Sequence, residues 1–295
     1  MAKVSVIIPA RNERFLTETV QDIFNKARGD VQVIVNLDGY WPDPILPDDK
    51  RLILIHPGSS RGMRWGINAA AAVATGDYIL KCDAHCMFDE GFDVKLVENY
   101  FEDNWIVIPR RYSLDPEAWT TRPKTPIDYH YLDCPMTNTE YFQFHGCVWP
   151  ERARERLDPQ FDIDETMSFQ GSLWFMSKKH WNWLGNMSEV GYGTFSQEPQ
   201  EIGNKTWLGG GKIMTNKKTW YAHLHKGSQY GRMYSIGKNE VVQGHIYSAE
   251  YWMNNSWEKQ IYPIEWLIDK FWPVPKWPGN WRELLEAWRK QKNNK

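Results

Sequence analysis

A chain of 295 residues with a formal net charge of −2 carries no global basic field, so its composition calls for neither a nucleic-acid nor a membrane partner. At roughly 150 residues per domain the length allows one large domain or two, and one main domain is expected. The four cysteines, Cys82, Cys86, Cys134 and Cys147, are too few for a disulfide framework and lack paired Cys-x-x-Cys spacing, so they are read as reduced core or near-site thiols.

Met1-Ala2-Lys3 leads straight into Val4-Ser5-Val6-Ile7-Ile8, and no later segment approaches ~18 uninterrupted apolar residues, which predicts a cytoplasmic protein without a transmembrane segment. That first strand closes at Pro9. Phe15, Leu16, Thr19, Val20, Ile23, Phe24 and Ala27 then recur at helical spacing before Gly29. Residues 31–37 form a second apolar strand ending at Asp38-Gly39, and residues 52–55 a third. A helix over 62–74 stops at Gly76, and a fourth strand covers 78–82. This alternation predicts an α/β fold with a mostly parallel central sheet flanked by helices, and ligands at the carboxyl ends of the strands. Asp38, Asp83 and the Pro9-Ala10-Arg11-Asn12-Glu13 turn fall at such ends.

Beyond residue 101 the pattern weakens into expected long loops, apart from a strand over 105–109. Order returns with a strand over 171–176, helices near 179–184 and 198–207, and a late strand over 218–223. Pro273, Pro275 and Pro278 punctuate the C-terminal part, where a last helix follows Asn280 and Glu283. Of the 17 tryptophans, seven lie from Trp252 onward, either as a stacking platform or as staples onto the core. The basic end, residues 289–295, reads as a solvated helix terminus or a local phosphate-binding patch.

The run Tyr78-Ile79-Leu80-Lys81-Cys82-Asp83-Ala84-His85-Cys86 carries the strongest chemical signal. Side chains two apart in a strand share a face, so Asp83 and His85 can point at one ion. An oxygen and an imidazole suit Mn²⁺ better than Ca²⁺. The other reading of the pair is a strand-end turn capped by the aspartate.

These segments, taken in order, resemble a nucleotide-sugar glycosyltransferase of the GT-A type within the broad family-two group, closest in motifs to the polypeptide N-acetylgalactosaminyltransferases. The opening strand through Glu13 is similar to the Asn-Glu turn of that group, and Asp83-Ala84-His85-Cys86 to its Asp-x-His-Cys. Gly171-Ser172-Leu173-Trp174-Phe175-Met176 resembles a Gly-Gly-Leu-Phe strand. Gln197-Glu198-Pro199-Gln200-Glu201-Ile202 resembles Gly-Glu-Asn-Leu-Glu-Ile, and Ala222-His223-Leu224-His225-Lys226 resembles Gly-His-Val-Phe-Arg. The resemblance spans residues 4–230 and implies the GT-A (nucleotide-diphospho-sugar transferase) fold. It also implies a metal site of Asp83, His85 and His223 for Mn²⁺ or Mg²⁺. Its nucleotide-sugar contacts would be Pro9, Arg11, Glu13, Asp38, Arg64, Gly171, Ser172, Trp174, Lys226 and Tyr230, with Glu198 and Glu201 at the reacting sugar.

Inverting family-two enzymes usually place an Asp base after a Glu near the acceptor, and here that position is Pro199. The resemblance therefore implies retention. The expected donor is a UDP-sugar (GalNAc, GlcNAc or Glc), and the acceptor hydroxyl belongs to a hydroxymethylated pyrimidine in DNA, a protein or a glycan, in a bacterial or phage-infected cell. Residues 1–232 are assigned to catalysis and 233–295 to a Trp-rich extension. The glycine-bearing segments 191–193 and 226–231 read as lids or surface turns. Two other classes fit parts of the pattern: a two-His-one-carboxylate iron oxygenase, and a non-catalytic sugar- or nucleic-acid-binding protein.

Overall fold

A computed structural model describes residues 2–138 and 143–293. In chain order, β1 (Lys3–Ala10), α1 (Leu16–Lys26), β2 (Asp30–Leu37), β3 (Leu52–Ile55), α2 (Met63–Val73) and β4 (Tyr78–Cys82) alternate as predicted. Then come β5 (Cys86–Phe88), α3 (Phe92–Glu98), β6 (Trp105–Asp115), β7 (Thr120–Thr121), β8 (His130–Leu132), β9 (Gly146–Val148), α4 (Pro150–Glu155) and β10 (Ile163–Glu165). The chain ends with β11 (Leu173–Ser177), α5 (Lys178–Leu184), α6 (Glu198–Leu208), β12 (Lys212–His223), α7 (Gly227–Tyr230), α8 (Lys238–Met253), α9 (Ile264–Lys270) and α10 (Trp281–Asn293).

The main sheet runs β10-β12-β6-β11-β4-β1-β2-β3. β1 is parallel to β2 and β4, and β2 to β3. β1 reads as one continuous apolar run because both of its faces are covered. Val4, Val6 and Ile8 pack with Leu16, Val20 and Ile23 of α1, while Ile7 joins Ile67, Ala70 and Ala71 of α2 on the other side.

The second half of the sheet is mixed. β11 lies antiparallel between β4 and β6. It arrives after the long excursion over residues 116–172 and not through a short helical crossover, so nothing holds it to the parallel direction. β12 runs parallel to β6, shifts register between Asn216 and Trp220, and then pairs antiparallel with β5, setting His223 opposite Cys86. The expected late strand and the expected strand over 105–109 are thus the ends of longer β12 and β6, whose middles carry too many polar residues to be seen by pattern.

Four tryptophans of the C-terminal part are staples, whereas Trp272 is exposed. Trp252, Trp257, Trp277 and Trp281 are buried in the same apolar cluster as Ile7, Trp174 and Trp207, and the Trp277 indole donates to the Leu132 carbonyl at 2.7 Å. Arg289, expected in a basic patch, donates to the Met253 carbonyl at 2.7 Å and pairs with Glu265 at 2.5 Å. Asn294 and Lys295 of that patch lie outside the described residues. No described helix is long and apolar enough to cross a membrane. Trp281 is 1% exposed and packs edge-on against Trp277, so Trp281→Ala is expected to destabilise the fold by about 3–5 kcal/mol, measured as a lower urea midpoint at unchanged slope.

Candidate active site

A cleft of about 640 Å³ opens where the parallel strands end. Pro9 and Ala10 reach it from β1, and Asn36 and Asp38 from the end of β2. Asp83, Ala84 and His85 follow β4, while Gly171 and Ser172 precede β11. Glu198 enters from the first turn of α6, and His223 and Lys226 from the end of β12 and the segment after it.

Asp83, His85 and His223 converge there, with ligand-type atoms all within 4.8 Å of one another. Asp83 Oδ2 lies 3.2 Å from His223 Nε2 and 3.8 Å from His85 Nε2. Strand alternation is not what brings Asp83 and His85 together. β4 stops at Cys82, the Asp83 amide donates to the Ser172 carbonyl at 2.9 Å, and residues 84–85 bend before β5 begins. Burial pushes His223 down to about 4, so its imidazole is neutral and able to ligate near pH 7. The far nitrogen of His85, Nδ1, is buried without an aligned hydrogen bond and sits 3.3 Å from Glu13 Oε2. Glu13 in turn accepts from Lys226 Nζ at 2.5 Å. Burial opposes its charge, yet His85 and Lys226 hold Glu13 below the ordinary carboxylate range. A carboxylate behind the outer nitrogen of a histidine is the usual arrangement for orienting a metal ligand, so this donor set fits a divalent ion of Mn²⁺ type.

Lys81 was not among the residues expected at the site, although a lysine inside an apolar strand is a sequence signal in itself. Its side chain is 1% exposed; Nζ lies 2.7 Å from Asp83 Oδ1 and 3.3 Å from Glu198 Oε2, and also donates to the Gly171 carbonyl. Burial works against the charge, but Asp83 and Glu198 keep the ammonium above the ordinary lysine range. Asp83 is held low in spite of its own burial, chiefly by Lys81 and His223. Glu198 moves upward because burial outweighs Lys81 and the 2.5 Å bond from the Trp174 indole.

Of the expected contacts, Pro9, Arg11, Glu13, Asp38, Gly171, Ser172, Glu198 and Lys226 line the cleft together with the three ligand residues. Asp38 has its carboxylate turned to the Ser60 hydroxyl at 2.7 Å and the Arg61 and Gly62 amides at 2.5 and 3.1 Å, fixing the turn before α2. Arg64, Glu201, Trp174 and Tyr230, expected at the nucleotide sugar, are not among the residues that line the cleft. Arg64 and Glu201 form a buried ion pair, and Arg64 also donates to the Ser188 and Ser196 carbonyls at 2.6 and 2.8 Å. Burial lowers the Arg64 guanidinium to about 10. It braces the wall over residues 188–197 from behind. Trp174, cross-strand neighbour of Lys81, spends its indole on Glu198. Tyr230 packs against Phe15 at a 5.7 Å centroid distance and approaches Glu117 at 3.3 Å. The segment 191–193 is no free lid, because Tyr192 is buried against Arg64 and Tyr247.

Asn36, Gln197 and His245 also line the cleft without having been expected. Asn36, at the end of β2, leaves both side-chain polar atoms buried without partners. A polar residue closing an apolar run was its available signal. Gln197 meets His245 of α8 at 2.8 Å, a contact between residues 48 apart that no local pattern shows.

The strand order and this strand-end cleft define the GT-A fold. The profile described as glycosyl transferase family 2 matches residues 5–181, more than half of the chain, and the chain belongs to that family. It is similar to human polypeptide N-acetylgalactosaminyltransferase 12, with 25% identity over 202 residues that cover 65% of this chain and 31% of the relative. Mouse polypeptide N-acetylgalactosaminyltransferase 12 is 23% identical over 289 residues, 89% of this chain and 45% of the relative. The chain thus spans less than half the length of these curated relatives. Among solved structures, GalNAc-T7 with UDP, GalNAc and Mn²⁺ superposes at a TM-score of 0.68 and 16% identity, covering 86% of this chain and 48% of that one. S. aureus TarS 1-349 in complex with UDP-GlcNAc gives 0.52 at 15% identity, covering 87% and 68%. Likeness at such low identity concerns the fold.

Lys81→Met leaves the buried Glu198 and the partly exposed Asp83 without their shared cation. It is expected to cost about 3–5 kcal/mol in urea unfolding; a change within experimental error would show that the ammonium is not needed to hold the two carboxylates. A Cβ on Gly171 would meet Glu198 Oε2 at 2.9 Å. Gly171→Ala is therefore expected to displace Glu198 and lower kcat/KM by about 10²-fold, with the circular dichroism spectrum unchanged.

Proposed function

We propose that this family-two glycosyltransferase moves a sugar (GalNAc, GlcNAc or Glc) from UDP to an acceptor hydroxyl, with a divalent metal, Mn²⁺ or Mg²⁺, and with retention of configuration. The observation that carries the reading is the convergence of Asp83, His85 and His223 at the strand ends, backed by Glu13 and Lys226. Those three residues would hold the ion. Its chemistry there is neutralisation of charge on the diphosphate as the glycosidic bond breaks. The GalNAc-T7 structure with UDP, GalNAc and Mn²⁺ and the TarS complex with UDP-GlcNAc support the donor class. Family membership favours this reading over an iron oxygenase or a passive binder.

Retention is supported by the state of the carboxylates. Glu13, Asp38, Asp83 and Glu198 are the acids among the described residues lining the cleft, and each is committed. Lys226 and His85 engage Glu13, the 60–62 turn engages Asp38, Lys81 and His223 engage Asp83, and Lys81 and Trp174 engage Glu198. None is placed as a free in-line base. Pro199, beside Glu198, has no proton-accepting side chain. The acceptor oxygen therefore attacks the anomeric carbon from the face the diphosphate leaves, the bond to the diphosphate breaks, and the acceptor proton passes to a diphosphate oxygen. Glu198 positions sugar or acceptor.

Incubation with Mn²⁺, a panel of UDP-sugars, and protein, glycan and hydroxymethyl-pyrimidine DNA acceptors is expected to release UDP with one donor and acceptor class. NMR of the product is expected to show the donor's anomeric configuration; an inverted product would overturn retention. Asp83→Asn and His223→Ala are each expected to abolish turnover, as is chelation, with circular dichroism unchanged. Full activity in either variant would remove that residue from the metal site.

A further inference from the structure

A second group of metal-ligating side chains lies at another part of the cleft, outside the residues assigned to donor chemistry. β8 and β9 pair antiparallel, with Leu132 opposite Gly146 and Tyr131 opposite Cys147. Asp133 directly follows β8 and His145 directly precedes β9, so they face one another where the two strands meet. The Asp133 amide donates to the His145 carbonyl at 3.1 Å, and the His145 amide donates to Asp133 Oδ1 at 2.6 Å. This clamp leaves Oδ2 turned to the side chains, where it accepts from the Asn138 side-chain Nδ2 and lies 3.2 Å from His145 Nδ1. His145 and Cys147 flank Gly146, so their side chains share a face of the extended segment. Cys147 Sγ is 3.4 Å from His145 Nε2, and one ligand atom from each of the three residues falls within 4.8 Å of the others.

His145 Nδ1 lies 3.2 Å from Asp133 Oδ2 without good hydrogen-bond alignment, and Asp133 with Cys147 pushes the imidazole up to about 10, so a bound cation would displace that proton. Asp133 Oδ2 lies nearest Nδ1 and Cys147 Sγ nearest Nε2, so a cation would take one ring nitrogen and draw the remaining ligand atom to it from within this 4.8 Å group. The donor set decides which cation. Thiolate, imidazole and carboxylate together suit a borderline-soft ion without geometric preference, whereas Mg²⁺ and Mn²⁺ favour oxygen-rich sets. His145 and Gly146 line the cleft whereas Asp133 and Cys147 lie behind it, so a fourth position would open on the His145 side. We propose that Asp133, His145 and Cys147 form a second metal site that takes Zn²⁺ with three protein ligands and one position open to the cleft.

The test uses the full chain, freed of metal by chelation and titrated with Co²⁺. A thiolate-to-cobalt charge-transfer band is expected to saturate at about one equivalent, to vanish in Cys147→Ser, and to survive in His223→Ala. Equilibrium dialysis with Zn²⁺ is expected to show one bound ion fewer in Cys147→Ser and in His145→Asn than in the unaltered chain, with circular dichroism unchanged. Absence of the band in the unaltered chain, or a band of equal height in Cys147→Ser, would overturn the site. Because the readout is sulfur ligation and not turnover, it is independent of whether the donor reaction proposed above is found.

Discussion

Lys81 carries its ammonium at the end of a central strand, 1% exposed, between Asp83 and Glu198. Removing the Lys81 and Glu198 charges from water costs several kcal/mol per ion, and the arrangement persists because each meets an opposite charge and a hydrogen bond, with the partly exposed Asp83 completing it. Its geometric effect is to divide Asp83 in two. Oδ1 is held by the lysine, which leaves Oδ2 aimed at His85 and His223. The same ammonium and the Trp174 indole hold Glu198 at the start of α6. One buried cation thereby ties the Asp83–His85–His223 group to the start of α6.

Topology supplies the rest of the constellation. Parallel strands β1, β2 and β4 end on one edge and deliver Glu13, Asp38 and Asp83 there, as open α/β sheets do. His223 arrives from β12, which is remote in sequence. After the register shift its last residues remain paired with β6 through His223 opposite Ser113, and their other edge pairs with β5, immediately after the Asp83–His85 bend. A side chain 140 residues from Asp83 thus comes within 3.2 Å of it. Behind the cleft, Arg64 and Glu201 form a buried pair that braces the wall over 188–197, and α8 contributes His245 to the lining. The C-terminal helices are part of the same core as the sheet.

The N-terminal order of strands and helices was legible because each element there is a sustained apolar run bounded by proline, glycine or aspartate. Asp83, His85 and His223 were picked out by residue type and motif, and the structure groups them. Arg64, Trp174 and Glu201 pack behind the lining: motif position marks the neighbourhood of a site, but whether a side chain faces the cleft or the wall depends on what packs behind it. Lys81 is visible in the sequence as a lysine inside an apolar strand, but its partners Asp83 and Glu198 are fixed only by the packing of α6 against β4.

The chain's sequence by itself determined the alternating strands and helices of the first half, the acids at the strand ends and the kinds of atom offered to a ligand, because these follow from local periodicity and side-chain chemistry. Only the tertiary structure decided the antiparallel insertion of β11, the shift in β12 that carries His223 to Asp83, and the pairing of Asp133 with His145 and Cys147. Those depend on contacts between residues far apart in the chain, whose energies local sequence does not encode.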